Sequence, residues 1–216
     1  EAVERNSVCL NLGANRRWDV GYDTMKDVID SGRIGSLKTV ISHMTGTMFN
    51  TASHIFDLLV RLNSDAAVSW VQAHLTNGDE LIEGDRLTND PSGYGTLVCE
   101  NGVVLHALNS GRGLEVEAVG DQGVVTAVQD GKSWQVREPG EKDYRGRAVL
   151  KEGVFPSYTY RSSTLRLVED LVHSLDTGER PRGGIRKAYL NNELIFAFIE
   201  SHVKGGARVE LPLKES

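Results

Sequence analysis

A chain of 216 residues, 39% hydrophobic and 25% charged, has the make-up of a globular protein with room for one large domain or two small ones. Its net charge of -6, with acidic residues spread along the chain, argues against a nucleic-acid or anionic-membrane partner, and no stretch approaches the roughly 20 consecutive apolar residues of a membrane helix. The two cysteines, Cys9 and Cys99, each lie in an apolar stretch, which argues against a disulfide framework and makes the cytoplasm the expected location.

The first residues, Glu1-Ala2-Val3-Glu4-Arg5-Asn6, match neither a signal peptide nor a lipidation motif. With no capping residue ahead of them, they read as the last turns of a helix. Val8-Cys9-Leu10-Asn11-Leu12-Gly13 reads as a short buried strand. Residues 1–14 are therefore expected to be the end of a preceding α/β domain, and residues 15–216 a domain of their own.

Beyond Asn15-Arg16-Arg17-Trp18, the spacing of Val20, Met25, Val28 and Ile29 predicts a helix that stops at Gly32. Residues 37–48 are β-rich and lead into a second amphipathic helix carrying Ile55, Phe56, Leu58, Leu59 and Leu62, on which Asp57 and Arg61 are spaced to pair. From residue 66 the period changes to alternation. Val68 to Ala73 reads as a strand, residues 77–93 as a polar loop, and the apolar runs on either side of Asn101-Gly102 as a hairpin. Turns at Gly111-Arg112-Gly113, Asp121-Gln122-Gly123 and Asp130-Gly131 separate further short strands, so a meander is expected. Residues 139–153 are charged and aperiodic and read as a solvated loop.

Two helices follow, one marked by Leu165, Val168, Leu171, Val172 and Leu175 and ended by Gly178, the other running from Ile185 to Ile199 and stopped by Gly205-Gly206. A short strand, Arg208-Val209-Glu210-Leu211, closes the pattern. The expected class is α+β: an open, predominantly antiparallel mixed sheet with helices packed on one face. Its other face is expected to bury itself against a second copy, giving a dimer or higher oligomer, with a polar outer face as the alternative.

The segment Ser53-His54-Ile55-Phe56-Asp57-Leu58-Leu59 holds the most chemistry, because His54 and Asp57 share a helix face. An imidazole oriented by a carboxylate moves protons near neutral pH. The competing reading is a histidine bonded to its neighbour for stability alone. His43, His54, His74 and His106 form no short metal-binding spacing, so no metal site is expected.

Asn15-Arg16-Arg17 after a strand, Asp30-Ser31-Gly32-Arg33-Ile34-Gly35 at a helix end and the His-x-x-Asp-Leu-Leu segment resemble the C-terminal domain of the glucose-fructose oxidoreductase and inositol dehydrogenase family (Gfo/Idh/MocA). Glu100-Asn101-Gly102, residues 117–123, Val168-Glu169-Asp170-Leu171, residues 174–178 with Pro181, Glu200-Ser201-His202 and Leu211-Pro212-Leu213 follow in the same order. The resemblance implies an N-terminal Rossmann domain that holds NAD or NADP, of which residues 1–14 would be the remnant. Residues 15–216 would then supply the substrate pocket for a sugar, cyclitol or related polyol and the oligomer contact. No Gly-x-Gly-x-x-Gly is present, so this chain alone is expected not to bind the cofactor tightly.

The family's pocket histidine maps onto His54, with Asp57 as a possible orienting group. Many members carry an aspartate four residues before that histidine, where this chain has Asn50, and an amide neither accepts a proton nor balances an imidazolium. Asn15, as a cofactor contact, and Arg16 and Arg17, as ligand contacts or an interdomain salt bridge, would sit at the mouth between the domains. Tyr158 and Tyr160 line a sugar pocket or simply pack, and Trp70 and Trp134 read as sheet-face packing. The alternative function is a non-catalytic ligand-binding or assembly module.

Overall fold

The computed structural model describes residues 2–76, 81–84, 86–111 and 113–214. Glu1, residues 77–80 and Asp85 of the expected polar loop, and Arg112 of the Gly111-Arg112-Gly113 turn lie outside them. The chain begins with a short helix, α1 (Ala2–Arg5), followed by a 3-10 turn over Asn15–Trp18 and α2 (Val20–Asp30). Next come β1 (Leu37–Met44), a π-helical turn at Met48–Ala52 and α3 (Ser53–Leu62). The strands that follow are β2 (Val68–Thr76), β3 (Ile82–Glu83), β4 (Arg86–Leu87), β5 (Ser92–Cys99), β6 (Val104–Asn109), β7 (Glu115–Gly120), β8 (Val124–Val128), β9 (Ser133–Pro139) and β10 (Leu150–Gly153). The chain closes with α4 (Ser163–Thr177), α5 (Ile185–Val203) and β11 (Val209–Glu210).

Nine strands form one open sheet in the order β10-β9-β8-β7-β1-β6-β5-β2-β11, and β3 and β4 pair as a separate ribbon. Every described pairing in the large sheet is antiparallel except that of β1 with β6, which is parallel. This is the expected mixed sheet, with one difference: β1 inserts between β6 and β7, so the meander is interrupted. Periodicity reports a strand's faces but not its neighbours, and β1 is recruited across more than 60 residues of chain.

Alternation then sets the layers. Val40, Ser42 and Met44 of β1, Leu97 and Cys99 of β5, and Leu105 and Ala107 of β6 turn to the helical side and are buried. Against them lie Ile55, Phe56, Leu58, Leu59 and Leu62 of α3, all fully buried, and Leu194, Ile195, Phe198 and Ile199 of α5. The opposite face carries Thr39, Ile41 and His43 of β1 and Val104, His106 and Leu108 of β6, none of them fully covered.

Three further expectations meet a different outcome. Residues 8–14 form no strand: Leu12 N–H donates to Gly183 O at 2.7 Å and Asn11 bonds Asp170 and Gly183, so the segment runs along α4 and the loop before α5, where no ladder is available. The aperiodic stretch 139–153 contains β10, a short edge strand whose Leu150, Lys151 and Glu152 are exposed, and a strand with no buried face leaves no apolar alternation to read. Asp57 and Arg61 do not pair across α3, because each meets an opposite charge from another part of the chain. The helix stops at Gly32 and Gly178 form as read, with φ of 73° and 76°.

Candidate functional site

Helix α3 enters the core as the most apolar helix face in the molecule, and its first turn grows out of the π-helical turn Met48–Ala52. Asp90 anchors that turn: its carboxylate accepts from Thr47 Oγ1 and from the amides of Phe49 and Asn50 at 2.8 and 3.2 Å. π-Helical turns occur often at functional positions, where they re-aim a side chain. Here the turn ends at Ala52, two residues before His54, which is half-buried. Asn50 is exposed, one turn earlier.

Beneath His54 lies an ionic seat. Asp57 and Arg17 are both buried, and the guanidinium grips the carboxylate bidentately, from Nε at 3.0 and 3.1 Å and from Nη2 at 2.9 Å. Arg17 also reaches Asp65 at 2.9 Å, which Lys187 of α5 meets at 2.9 Å. Burial works against the Arg17 charge, but the two carboxylates outweigh it and hold the guanidinium protonated far above its ordinary range. Burial pushes the Asp57 carboxyl up, against the pull of Arg17. Burial would also raise Asp65, yet Arg17 and Lys187 overcome it and hold that carboxyl down.

A second arginine cluster pins the 3-10 turn. Arg61 Nη1 donates to Arg16 O at 2.9 Å and Arg166 donates to Trp18 O, while Arg61, Arg166 and Arg182 all meet the carboxylate of Asp23. The backbone of residues 15–18 is thereby fixed against α3 and α4. Arg16 and Arg17, adjacent in sequence, leave it in different directions.

Arg16 stays at the open side. Its Nε donates to Asp130 Oδ1 at 2.8 Å and its Nη2 to Oδ2, and Tyr22 Oη donates to the same carboxylate at 3.2 Å. Tyr22 packs edge-on against Trp134, with ring centroids 5.2 Å apart. Trp134 stacks on Phe155 at 4.8 Å and donates from Nε1 to Tyr158 Oη at 2.8 Å. Close approach of α2 to this aromatic group requires Gly21, where a Cβ would fall 2.3 Å from Trp134.

Burial lowers the His54 pKa below its usual value and the Arg16 charge adds to that, while Asp57 and Asp130 act in the opposite sense. The imidazole is therefore neutral at pH 7. Its Nδ1 is buried with no hydrogen-bond partner among the described residues. A neutral, half-buried imidazole beside an ion pair accepts a proton and is ill suited to hold one for long.

The Arg16 charge acts on His54 through space, and Tyr158 is linked to Arg16 through Trp134, Tyr22 and Asp130. Arg17 and Asp57 form the seat below, and Asp57 makes no hydrogen bond to His54 among the described residues. Asn15 Nδ2 donates to Ser163 Oγ at the start of α4, at 3.4 Å, and Tyr160 is 75% exposed. Sequence reasoning missed Tyr22, Asp130 and Phe155. Asp130-Gly131 was visible only as a turn, and nothing local links it to an arginine 114 residues away. Trp134 does pack on the sheet, as read, on its helical side.

At two helix starts the backbone amides that a pyrophosphate would use are already taken. Where a strand runs through a short turn into a helical segment, from β1 into Met48–Ala52, the Asp90 carboxylate already takes the amides an anion would use. At α2, Asp19 likewise accepts from the amides of Gly21 and Tyr22. No group of three metal-ligating side chains occurs among the described residues, and no described helix is long and apolar enough to cross a membrane.

The open, mostly antiparallel sheet with helices on one face is a fold that recurs among solved structures. No protein-family profile matches the sequence, and no curated protein matches it. Solved structures do. Aldose-aldose oxidoreductase from Caulobacter crescentus, complexed with glycerol, superposes with a TM-score of 0.72 at 15% identity, over 97% of this chain and 66% of that one. Levoglucosan dehydrogenase, in complex with NADH and L-sorbose, gives 0.72 at 17% identity, over 99% and 68%. A super-repressor mutant of Gal80p from Saccharomyces cerevisiae gives 0.71 at 14% identity, over 97% and 66%. At these identities the likeness establishes the fold, and the chain spans about two thirds of the length of these chains.

Proposed function

We propose that this chain is the substrate-side domain of an NAD(P)-dependent oxidoreductase that transfers a hydride between a nicotinamide and a hydroxyl-bearing carbon of a sugar, cyclitol or related polyol. The observation that carries the reading is His54, half-buried at the start of α3, with its Nδ1 buried and without a hydrogen-bond partner among the described residues, and with its pKa lowered by burial. In the proposed role it takes the proton of the substrate hydroxyl as the hydride leaves. The Arg17–Asp57 pair holds α3 and the 3-10 turn together beneath it. The names of the similar structures, sugar oxidoreductases with NADH, sugars or glycerol, support the substrate class.

In this reading the nicotinamide nucleotide is held by a separate domain, and the amides at the starts of the π-helical turn and of α2 are occupied by Asp90 and Asp19. Helix α4 supports this. Leu165, Val168, Val172 and Leu175 form one apolar stripe, each about half exposed or more, and only Ser174 of the helix is buried. In this reading the separate domain covers that stripe. The outer sheet face, with Ile41, Val98, Val104 and Val119 among polar neighbours, is the proposed contact with a second copy.

A second reading has its own support: Asn50 stands where many family dehydrogenases carry an aspartate, and a repressor shares the fold. It makes the domain a non-catalytic sugar-binding or assembly module. The test is to produce the chain with its upstream region, screen polyols with NAD and NADP, and compare His54→Ala with the parent. Reduced nicotinamide from the parent and its loss in the variant are expected. Full activity in the variant overturns the role of His54, and sugar binding without turnover in the parent supports the second reading.

A further inference from the structure

Helix α3 begins without a capping side chain: Ala52 precedes it and makes no cap bond. The ladder changes register at the same point, where the Ser53 amide donates to Met48 O, five residues back, as well as to Thr51 O. A helix start of this kind leaves peptide groups that neighbouring elements must fix. Asp90 does so on one side, at the amides of Phe49 and Asn50. On the other, Asn191 of α5 donates from Nδ2 to Ser53 O at 2.6 Å. The acceptor is a carbonyl, so it is the amide nitrogen that must face it. Ser53 O belongs to the peptide that joins Ser53 to His54. Phe196, further along α5, meets Phe49 edge-on with ring centroids 5.8 Å apart, so α5 touches both the turn and the helix that grows out of it.

Asn191 is 4% exposed and lies among Phe56, Val60, Leu190 and Leu194. Its Oδ1 has no hydrogen-bond partner among the described residues. For packing alone an amide is a poor choice here, since a leucine of similar volume leaves no buried acceptor unpaired. What the amide supplies is one short, directed bond to the chain at His54.

We infer that Asn191 is a positioning residue for His54: its amide fixes the plane of the Ser53–His54 peptide, and with it the direction in which the imidazole leaves α3. This deepens the proposed function and rests on its assignment of His54. The imidazole has no bond at Nδ1 to orient it among the described residues, so its direction depends on the backbone that carries it. In the proposed role the ring must stand within hydrogen-bond reach of a substrate hydroxyl, where a displacement of about 1 Å costs about 10²-fold in rate.

The test is histidine NMR of the intact protein, with the His54 ring resonances assigned by their loss in His54→Gln. Asn191→Leu, which keeps the volume and removes the donor, is expected to shift or broaden the His54 resonances while those of His43 and His106, on the opposite sheet face, stay in place. A folded Asn191→Leu whose His54 resonances coincide with the parent's overturns the inference. Asn191→Ser, whose hydroxyl is too short to reach Ser53 O, is the second variant, with the same result expected. If neither variant folds, Asn191 is a structural residue and the inference fails. Turnover by the protein with its upstream region gives the second readout: kcat of Asn191→Leu is expected to fall by about 10- to 100-fold with KM little changed. A variant with the parent's kcat overturns the inference. An inactive parent counts against the proposed function alone, because the NMR comparison needs no turnover.

Discussion

Arg16 and Arg17 are neighbours in sequence and opposites in environment. Arg17 is buried against two carboxylates, with its own side chain 5% exposed and that of Asp57 2% exposed, and it holds three segments of chain together. Arg16 lies at the open edge with one carboxylate and a histidine within its field. Identical side chains, one residue apart, are thus sealed in a buried ion pair in one case and held at the open edge in the other. Burial makes the difference, because it removes water as an alternative partner.

The contrast is broken most easily at the buried member. Arg17→Met leaves Asp57 buried and unpaired, and an unfolding titration in urea should show a loss of about 3–5 kcal/mol. Adding Asp57→Leu should recover part of it. A loss below about 1 kcal/mol, the range of exposed pairs, would mean that the seat is not closed to water. Next in size is Gly21→Ala, whose new methyl meets Trp134 at 2.3 Å. It should cost about 1–3 kcal/mol through overpacking and alter the near-UV circular dichroism, and an unchanged spectrum would show that α2 does not press on that ring.

Much of this fold was legible in the sequence because most of it is written locally. Alternation located β2, β5 and β6, the 3.6-residue period located all four long helices, and Gly32 and Gly178 marked their ends. The parallel insertion of β1 and the edge strand β10 were not legible, the first because neighbours are chosen by the whole sheet, the second because it buries no face. In the site, His54, Arg16 and Tyr158 could be picked by residue type, but the pairing could not. Asp57, three residues from His54, serves Arg17, and the carboxylate beside Arg16 comes from a hairpin 114 residues on. Contact across such separations leaves no trace in a local pattern.

Acid sharpens the comparison. Asp65 in the seat and Asp23 in the neighbouring arginine cluster have folded pKa values held below their ordinary ones, by cations that outweigh burial. Their stabilisation is full above the unfolded carboxylate value, near 4, and is lost as pH falls through the depressed folded values. Asp23→Asn should therefore be less stable than the parent at pH 7 and differ less from it near pH 2. An equal gap at both pH values would contradict the assignment. The smallest stability effect is expected at the mouth. Arg16→Gln should cost under about 1 kcal/mol, as for partly exposed ion pairs, and a larger loss would place Arg16 with Arg17 among the structural residues.

The most direct measurement of the central claim is the pH dependence of kcat/KM for polyol oxidation by the protein with its upstream region, in the parent and in His54→Gln. The depressed His54 pKa predicts a rate that falls only as pH drops below the usual histidine value, and a variant slower by about 10²- to 10⁴-fold at neutral pH with that limb gone. A variant with the parent's rate and the parent's acid limb would contradict it.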